Sequence, residues 1–411
     1  MDQHHHPACG SAENSRLTLP GQRPSVHPNA LVHPNAPVQL KRAGSMVVII
    51  LCLMLAIPSA GNLLIVAAAP LGEPFDWERA ISLYKQGRYD EAIREFEQVL
   101  TDQPDHADSL KYIGLAWLKL QEPGRAIAPL QATLDLKRRD GRNDIELYLA
   151  LGQSLLSLNR YDEALPHLET LVRLQPGVSA THYLLGVAYA NLNRPEDSEG
   201  AMRRTLQLNP RNLDAIIYIA TRQIQSGGYR EALLLVRRGL ATAPQSPDLL
   251  RLFAEANLGI GIAERDERMA ASSLNDAISA AQRLAGIRED VTSTELLGRA
   301  LLAARRYQPA ERALTRAFEM STNPTAALCF NLGFALARAR SWNRAIEKLE
   351  QADRLAPDNL NTLYYLGYVN ENLRRYQPAL EAYTRAWESG GRSDPELKTS
   401  IDRVAAILRQ P

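Results

Sequence analysis

The sequence predicts an all-α chain, an α/α superhelical solenoid of about nine helix pairs closed by a C-terminal capping helix. Three observations predict it. Ala, Leu and Arg are plentiful while aromatic residues make up only 6% of the chain, a composition that favours helix. A glycine recurs inside apolar helical stretches, at Gly114, Gly152, Gly186, Gly298, Gly333 and Gly367, each directly after Ile or Leu. About nine residues later comes Tyr, Trp or Pro, and three residues after that a small residue, usually Ala. Short segments also return intact: Arg-Tyr-Asp-Glu-Ala stands at 88–92 and 160–164, and Arg-Tyr-Gln-Pro-Ala at 306–310 and 375–379.

Residues 1–40 are rich in Pro, His and Asn, and Val-His-Pro-Asn-Ala occurs at 26–30 and again at 32–36. Each Pro disfavours helix at the residue before it, and apolar content is too low to offset the entropy of ordering, so this stretch reads as a disordered leader. Residues 41–69 follow: Lys41 and Arg42, then an apolar run from residue 46 to 69. A basic pair, an apolar stretch and small residues in that order form a signal-peptide pattern, with Val66, Ala67 and Ala68 at the exit. An uncleaved anchor also fits, since the run is about long enough to span a bilayer, although Pro58, Gly61 and Asn62 interrupt it. Either way the membrane is met only through this segment, and the rest of the chain is expected to be periplasmic or secreted, or held at the inner membrane. A signal belongs at an N-terminus, so the segment's position suggests a true start downstream, near Val38 or Leu40.

Placing the recurrent glycine at position 8 gives repeats that start at 73, 107, 145, 179, 213, 247, 291, 326 and 360, most steps being 34 residues. The spacing has a mechanical cause. Two antiparallel helices approach closely where position 8 of the first and position 20 of the second are small. A larger apolar residue near position 24, such as Phe96, Leu168, Leu314 or Tyr383, fills the space beside them. Pro104, Pro176, Pro210, Pro244 and Pro357 stop second helices, because proline has no N–H to donate. One pair cannot bury its apolar face alone, so neighbours must stack. Three departures stand out. Extra residues follow the second repeat near 138–142, the 247–290 unit is long and hard to phase, and Pro129 and Pro166 could shorten their helices. After the repeats, which are expected to run to residue 393, residues 394–411 read as the capping helix. Asp394 can cap it, Pro395 suits its first position, and Leu397, Ile401, Val404 and Leu408 share one face.

The pattern of Leu-Gly, then Tyr, then Ala, a large residue and Pro resembles the tetratricopeptide repeat (TPR) over residues 73–393. The resemblance implies a groove, lined by positions 2, 5, 9, 12 and 13 of each first helix, that binds peptides or proteins. It also implies a test for the family's clamp for acidic C-terminal tails, which needs Asn at position 9. That position reads Ile81, Leu115, Gln153, Val187, Thr221, Arg299, Phe334 and Tyr368, so the clamp is not expected.

Aromatic residues occupy groove positions instead. Phe330 and Phe334 stand at positions 5 and 9 of the eighth repeat, Tyr364 and Tyr368 at those of the ninth, and Tyr183 at position 5 of the fourth. Each i,i+4 pair shares a helix face. The functional reading is a partner-binding patch with partly exposed rings; the alternative is that the rings pack between helices.

Other function classes find little support. With 47 basic and 46 acidic residues the net charge is +1, which lacks the cationic excess that nucleic-acid binding needs. No phosphate-cradling, dinucleotide or nucleophile-elbow motif occurs, and three cysteines, Cys9, Cys52 and Cys329, make no CxxC pair. His167 and His182 could approach one another, yet two histidines make a poor zinc site. No enzyme activity, cofactor or metal is expected. The expected function is an extracytoplasmic scaffold binding a protein or peptide; the alternative is an accessory subunit of an envelope machine for pili, secretion or polysaccharide export.

Overall fold

The computed structural model describes residues 77–141 and 143–410, so the leader, the 41–69 segment, Cys9 and Cys52 lie outside the described residues. Within them the helices come in antiparallel pairs. They are α1 (Trp77–Lys85) with α2 (Tyr89–Asp102), α3 (Ala107–Lys119) with α4 (Pro123–Arg139), α5 (Ile145–Ser157) with α6 (Tyr161–Leu174), α7 (Ser179–Asn191) with α8 (Pro195–Leu208), and α9 (Leu213–Gln225) with α10 (Tyr229–Thr242). The series continues with α11 (Pro247–Ala263) and α12 (Glu267–Ile287), α13 (Val291–Ala303) and α14 (Tyr307–Met320), α15 (Ala326–Arg338) and α16 (Trp342–Leu355), and α17 (Leu360–Asn372) and α18 (Tyr376–Glu388). The capping helix α19 (Pro395–Leu408) ends it. The predicted all-α repeat class therefore holds among the described residues. The chain divides into two compact units, one ending at Leu252 and the other running from Phe253.

Each pair is set by the same small local devices. The residue before a first helix caps it: Asp144, Asn212, Asp290, Thr325, Asn359 and Asp394 each accept a bond from a backbone N–H of the first turn. The first helix ends in a left-handed residue at position 15, and the next N–H reaches back five residues, as from Arg306 to the Leu301 carbonyl at 2.8 Å. The second helix ends two residues before the predicted prolines, for example at Asp102 before Pro104 and at Leu355 before Pro357. Pro129 and Pro166 lie inside α4 and α6 without shortening them: α4 has 17 residues and α6 has 14, the length of α2, α8 and α10. A proline ring removes one backbone bond, and the packed face of each helix, Leu130 and Leu134 or Leu168 and Leu171, carries the rest.

Positions 8 and 24 meet as the repeat requires. A methyl group on Gly114 would come within 2.4 Å of Leu130, and one on Gly367 within 2.4 Å of the Tyr383 ring. The long sixth unit obeys this rule at a different place. Counting from 247 puts position 8 at Ala254, but the residue that meets the second helix is Gly261, whose added methyl would lie 2.6 Å from Leu274 and 3.2 Å from the Ala270 carbonyl. The crossing point has moved two turns along α11, which is why α11 has 17 residues and α12 has 21. The residues after the second repeat lengthen α4. The junction there is tied by Asp144, which caps α5 and accepts from Lys137 at 2.6 Å and Lys111 at 3.0 Å.

The first unit's core begins with Phe96 among Trp77, Tyr84 and Tyr112, and continues through Leu130, Leu151, Leu168, Met202 and Ile219. In the second unit Leu314, Phe330, Leu349, Tyr365, Tyr383 and Val404 are all buried. On α19, Leu397, Ser400 and Val404 face inward, whereas Leu408, the last residue of the helix, is 41% exposed. Cys329 is a free, buried thiol, pushed up to about 11 by burial.

Candidate partner-binding cleft

The geometry of the repeats decides which groove positions stay open. The residue at position 6 of one first helix lies over positions 5 and 9 of the first helix before it. Tyr112 packs on Trp77 with ring centres 5.7 Å apart, and Tyr365 packs on Phe330 at 6.1 Å and on Phe334 at 4.8 Å. Tyr307 of the preceding second helix closes Phe334 from the other side at 6.4 Å. Phe330 and Phe334 are accordingly only 3% and 5% exposed, and α15 is buried from Ala327 through Ala337. The expectation that these two rings lie open on the groove is thus corrected: they are inter-repeat core.

The same positions one repeat later have a different fate. Counting Pro395 as position 1, the capping helix carries Ser400 at position 6, where α17 carries Tyr365. A serine cannot cover two rings. Tyr364 and Tyr368 stay half-buried and form one wall of a cleft of about 640 Å³ between α17, the start of α18 and α19. Glu371 of α17, Tyr376 and Tyr383 of α18, and Glu396, Thr399, Arg403 and Ile407 of α19 also line it. Tyr368 rests edge-on against Trp342 at 5.8 Å and Tyr364 against Tyr365 at 5.4 Å. Both rings thus pack on neighbouring aromatics and remain partly exposed.

The cleft's electrostatics centre on Glu371. Its carboxylate accepts from Arg403 Nε at 2.7 Å, from Arg403 Nη2 at 3.0 Å and from the Tyr383 hydroxyl at 3.0 Å. The bond to Glu371 raises the Arg403 guanidinium further above its usual range. Burial, joined by the Glu371 charge, pushes the Tyr383 phenol up, and burial with the neighbouring Tyr365 does the same to Tyr364. Both phenols keep their protons near neutral pH, and Tyr383 donates its own to Glu371. Among the described residues, the hydroxyls of Tyr364 and Tyr376 and the carboxylate of Glu396 have no hydrogen-bond or ion-pair partner.

Tyr183 lies in the other unit. It is half-buried against Met202 and Ile219, and burial, with the Asp214 carboxylate second, pushes its phenol up to about 12. The two histidines do not form a pair: His182 Nε2 lies 3.0 Å from the Pro176 carbonyl, and the His167 ring packs 6.2 Å from Tyr148. No group of three or more potential metal ligands comes together among the described residues. The sequence reading missed Glu371, Arg403, Glu396 and Tyr376. The available signal was the small residue at position 6 of the capping helix, which leaves the preceding tyrosines uncovered.

The tetratricopeptide-repeat family model matches residues 78–141, 149–212 and 295–359. Among curated proteins, the anaphase-promoting complex subunit 7 of Dictyostelium discoideum is 28% identical over 159 residues, covering 38% of this chain and 26% of that protein. The aryl-hydrocarbon-interacting protein-like 1 of Mus musculus is 24% identical over 135 residues, covering 33% of this chain and 35% of that protein. The chain thus spans about a quarter to a third of the length of these relatives. Among solved structures, the TPR domain of P58(IPK) is 14% identical and covers 81% of this chain and 97% of that one, with a TM-score of 0.38. The three stretches matched by the family, each in phase with helix pairs built on the same position-8 contact, make this chain a member of the tetratricopeptide-repeat family.

Proposed function

We propose that this chain is a protein–protein interaction scaffold that docks a peptide segment of its partner in the cleft between α17 and α19, and that it works outside the cytoplasm. One observation carries the docking site: Tyr364 and Tyr368 are braced by neighbouring rings yet partly exposed beside a cleft, whereas Phe330 and Phe334 at the same repeat positions are sealed. Rigid aromatic side chains give large contact area at low entropic cost, which is why they anchor interfaces. A scaffold role is in keeping with relatives such as anaphase-promoting complex subunit 7, by its name part of an assembly. The extracytoplasmic reading rests on the 41–69 segment. No helix of the described residues is long and apolar enough to cross a membrane.

Photocrosslinking tests the docking site. A photoreactive side chain at Tyr368 should capture a partner that the same group at Leu234, 70% exposed on α10, does not. Equal capture from both positions would remove the cleft from consideration. Export is tested separately by fusing a phosphatase reporter after Gly72, which should become active only outside the cytoplasm.

A further inference from the structure

We propose that the segment docked in this cleft is proline-rich, extended and carries a basic side chain. The inference rests on the reading that the cleft docks a peptide, and it names the chemistry of the guest.

The first argument is the absence of a strand edge. The walls are α-helices, whose backbone groups bond within the helix, so the cleft holds a guest through side chains alone. The second is the balance of donors and acceptors. Tyr364 and Tyr376 offer hydroxyls without protein partners, and Arg403, which uses Nε and Nη2 on Glu371 and Ser400, offers Nη1. The Glu371 carboxylate already accepts three bonds. The cleft therefore offers several unpaired donors beside one unpaired carboxylate, Glu396, and a guest with outward carbonyls, few N–H groups and one cation suits that set. A polyproline-type segment brings the first two, because its carbonyls point outward and each proline lacks an N–H. A helical guest would satisfy its own carbonyls and leave the phenols with nothing to donate to.

Shape and charge agree. Tyr364 and Tyr368, one helical turn apart, both line the cleft and offer aromatic surface against which pyrrolidine rings can pack, and a proline-rich segment is ordered before it binds. Arg403 neutralises Glu371, which leaves Glu396 as the unpaired charge of the cleft, and a lysine or arginine on the guest complements it.

The test titrates the full chain, by fluorescence anisotropy, with a short labelled peptide of repeated prolines and one arginine. Two further peptides replace the prolines by alanine or the arginine by glutamate. The proline peptide should bind at least about tenfold more tightly than the alanine peptide. Glu396→Gln should weaken the arginine peptide by about fivefold and leave the glutamate peptide no worse. Tyr364→Phe keeps the ring and removes the donor; it should weaken binding by roughly three- to tenfold with an unchanged melting curve, which separates a binding effect from a folding one. Equal binding of the alanine peptide, or indifference to Glu396→Gln, overturns the proposal. Selection from a random peptide pool tells the two readings apart. Peptides that need Tyr368 but carry no excess of proline keep the docking site and sink the proline chemistry, while a pool that yields no binders sinks both.

Discussion

Two neighbouring junctions in the second unit carry the same design and end differently. Between the eighth and ninth repeats, two aromatic rings at positions 5 and 9 meet Tyr365 and vanish into the core; between the ninth repeat and the capping helix, two more meet Ser400 and stay open. Groove exposure in this chain is thus not a property of the position that bears the ring. It is decided by the size of a residue one repeat further along, which either covers the ring or leaves a cleft.

The largest expected effects come from breaking that difference. Tyr365→Ser would give the inner junction the residue found in the capping helix. Tyr365 is 3% exposed, so its removal uncovers both phenylalanines and should cost about 3–5 kcal/mol. Phe334→Ala should fall in the same range, whereas Tyr368→Ala should cost about 1 kcal/mol or less because its ring is more exposed than that of Phe334. Chemical denaturation midpoints of the three variants check the ordering. Similar losses for Phe334→Ala and Tyr368→Ala would mean that the two junctions are equally sealed.

Alkaline pH provides a second contrast. The phenols of Tyr183, Tyr364, Tyr365 and Tyr383 are all pushed up, with burial the largest cause in each. A folded-state value above the unfolded one favours the protonated, folded form. The stabilisation is complete below the unfolded value near 10 and is lost as pH rises through the folded value. For Tyr183, at about 12, the loss falls between roughly pH 10 and 12, and for the tyrosines of the second unit it extends higher. Spectrophotometric titration of the phenolates should show this lag, and Tyr183→Phe should remove the step near pH 12. Titration of every tyrosine near 10, with the fold intact, would contradict it.

The next contrast is between two position-8 glycines. A methyl at Gly367 meets the Tyr383 ring, which is fully buried and tethered to Glu371, while one at Gly186 meets the flexible end of Met202 at 3.0 Å. Overpacking costs about 1–3 kcal/mol, and alanine regains up to about 1 kcal/mol of helix propensity. Gly367→Ala should therefore lose about 1–2 kcal/mol net. Gly186→Ala should come out within about 0.5 kcal/mol of neutral, since Met202 can shift. Thermal melts of the pair measure the difference.

Much of this was legible in the sequence because the repeat encodes it locally. The period, the small residues at positions 8 and 20, the prolines that end second helices and the Asp394 cap each act within one unit. What the sequence reading missed depends on contacts between units. Phe330 looked like a groove residue because its burial is set by Tyr365, 35 positions on in a different helix (365 − 330). The phase of the sixth unit was obscure because Ala254 and Gly261 are both small and lie on the same helix, and only Leu274 chooses between them. The cleft itself had a faint signal, because it is made by what Ser400 does not fill.

The smallest expected effect concerns the turn at position 15, where the two units use different residues for one backbone shape. The first unit has Gly87 and Gly227 there, at φ of 77° and 82°, Asn159 and Asn193 at 60° and 55°, and Gln121 at 61°; the second has Arg305, Arg340 and Arg374, at 58°, 64° and 58°. Left-handed backbone places Cβ too close to the following carbonyl and costs roughly 1–2 kcal/mol for most side chains, less for Asn, and nothing for Gly. Against this, glycine makes the unfolded chain more flexible, which costs about 0.4–1 kcal/mol. Arg374 is exposed and makes no ion pair among the described residues, so its side chain contributes little to offset the strain. Arg374→Gly should therefore stabilise the chain by about 0.5–1 kcal/mol, and Asn159→Gly by less. The reverse change, Gly227→Ala, should destabilise by about 1 kcal/mol. Denaturation midpoints for the three variants set the sign. Were Arg374→Gly to destabilise, the arginine would be contributing something beyond its backbone, and the turn would no longer count as the same device in both units.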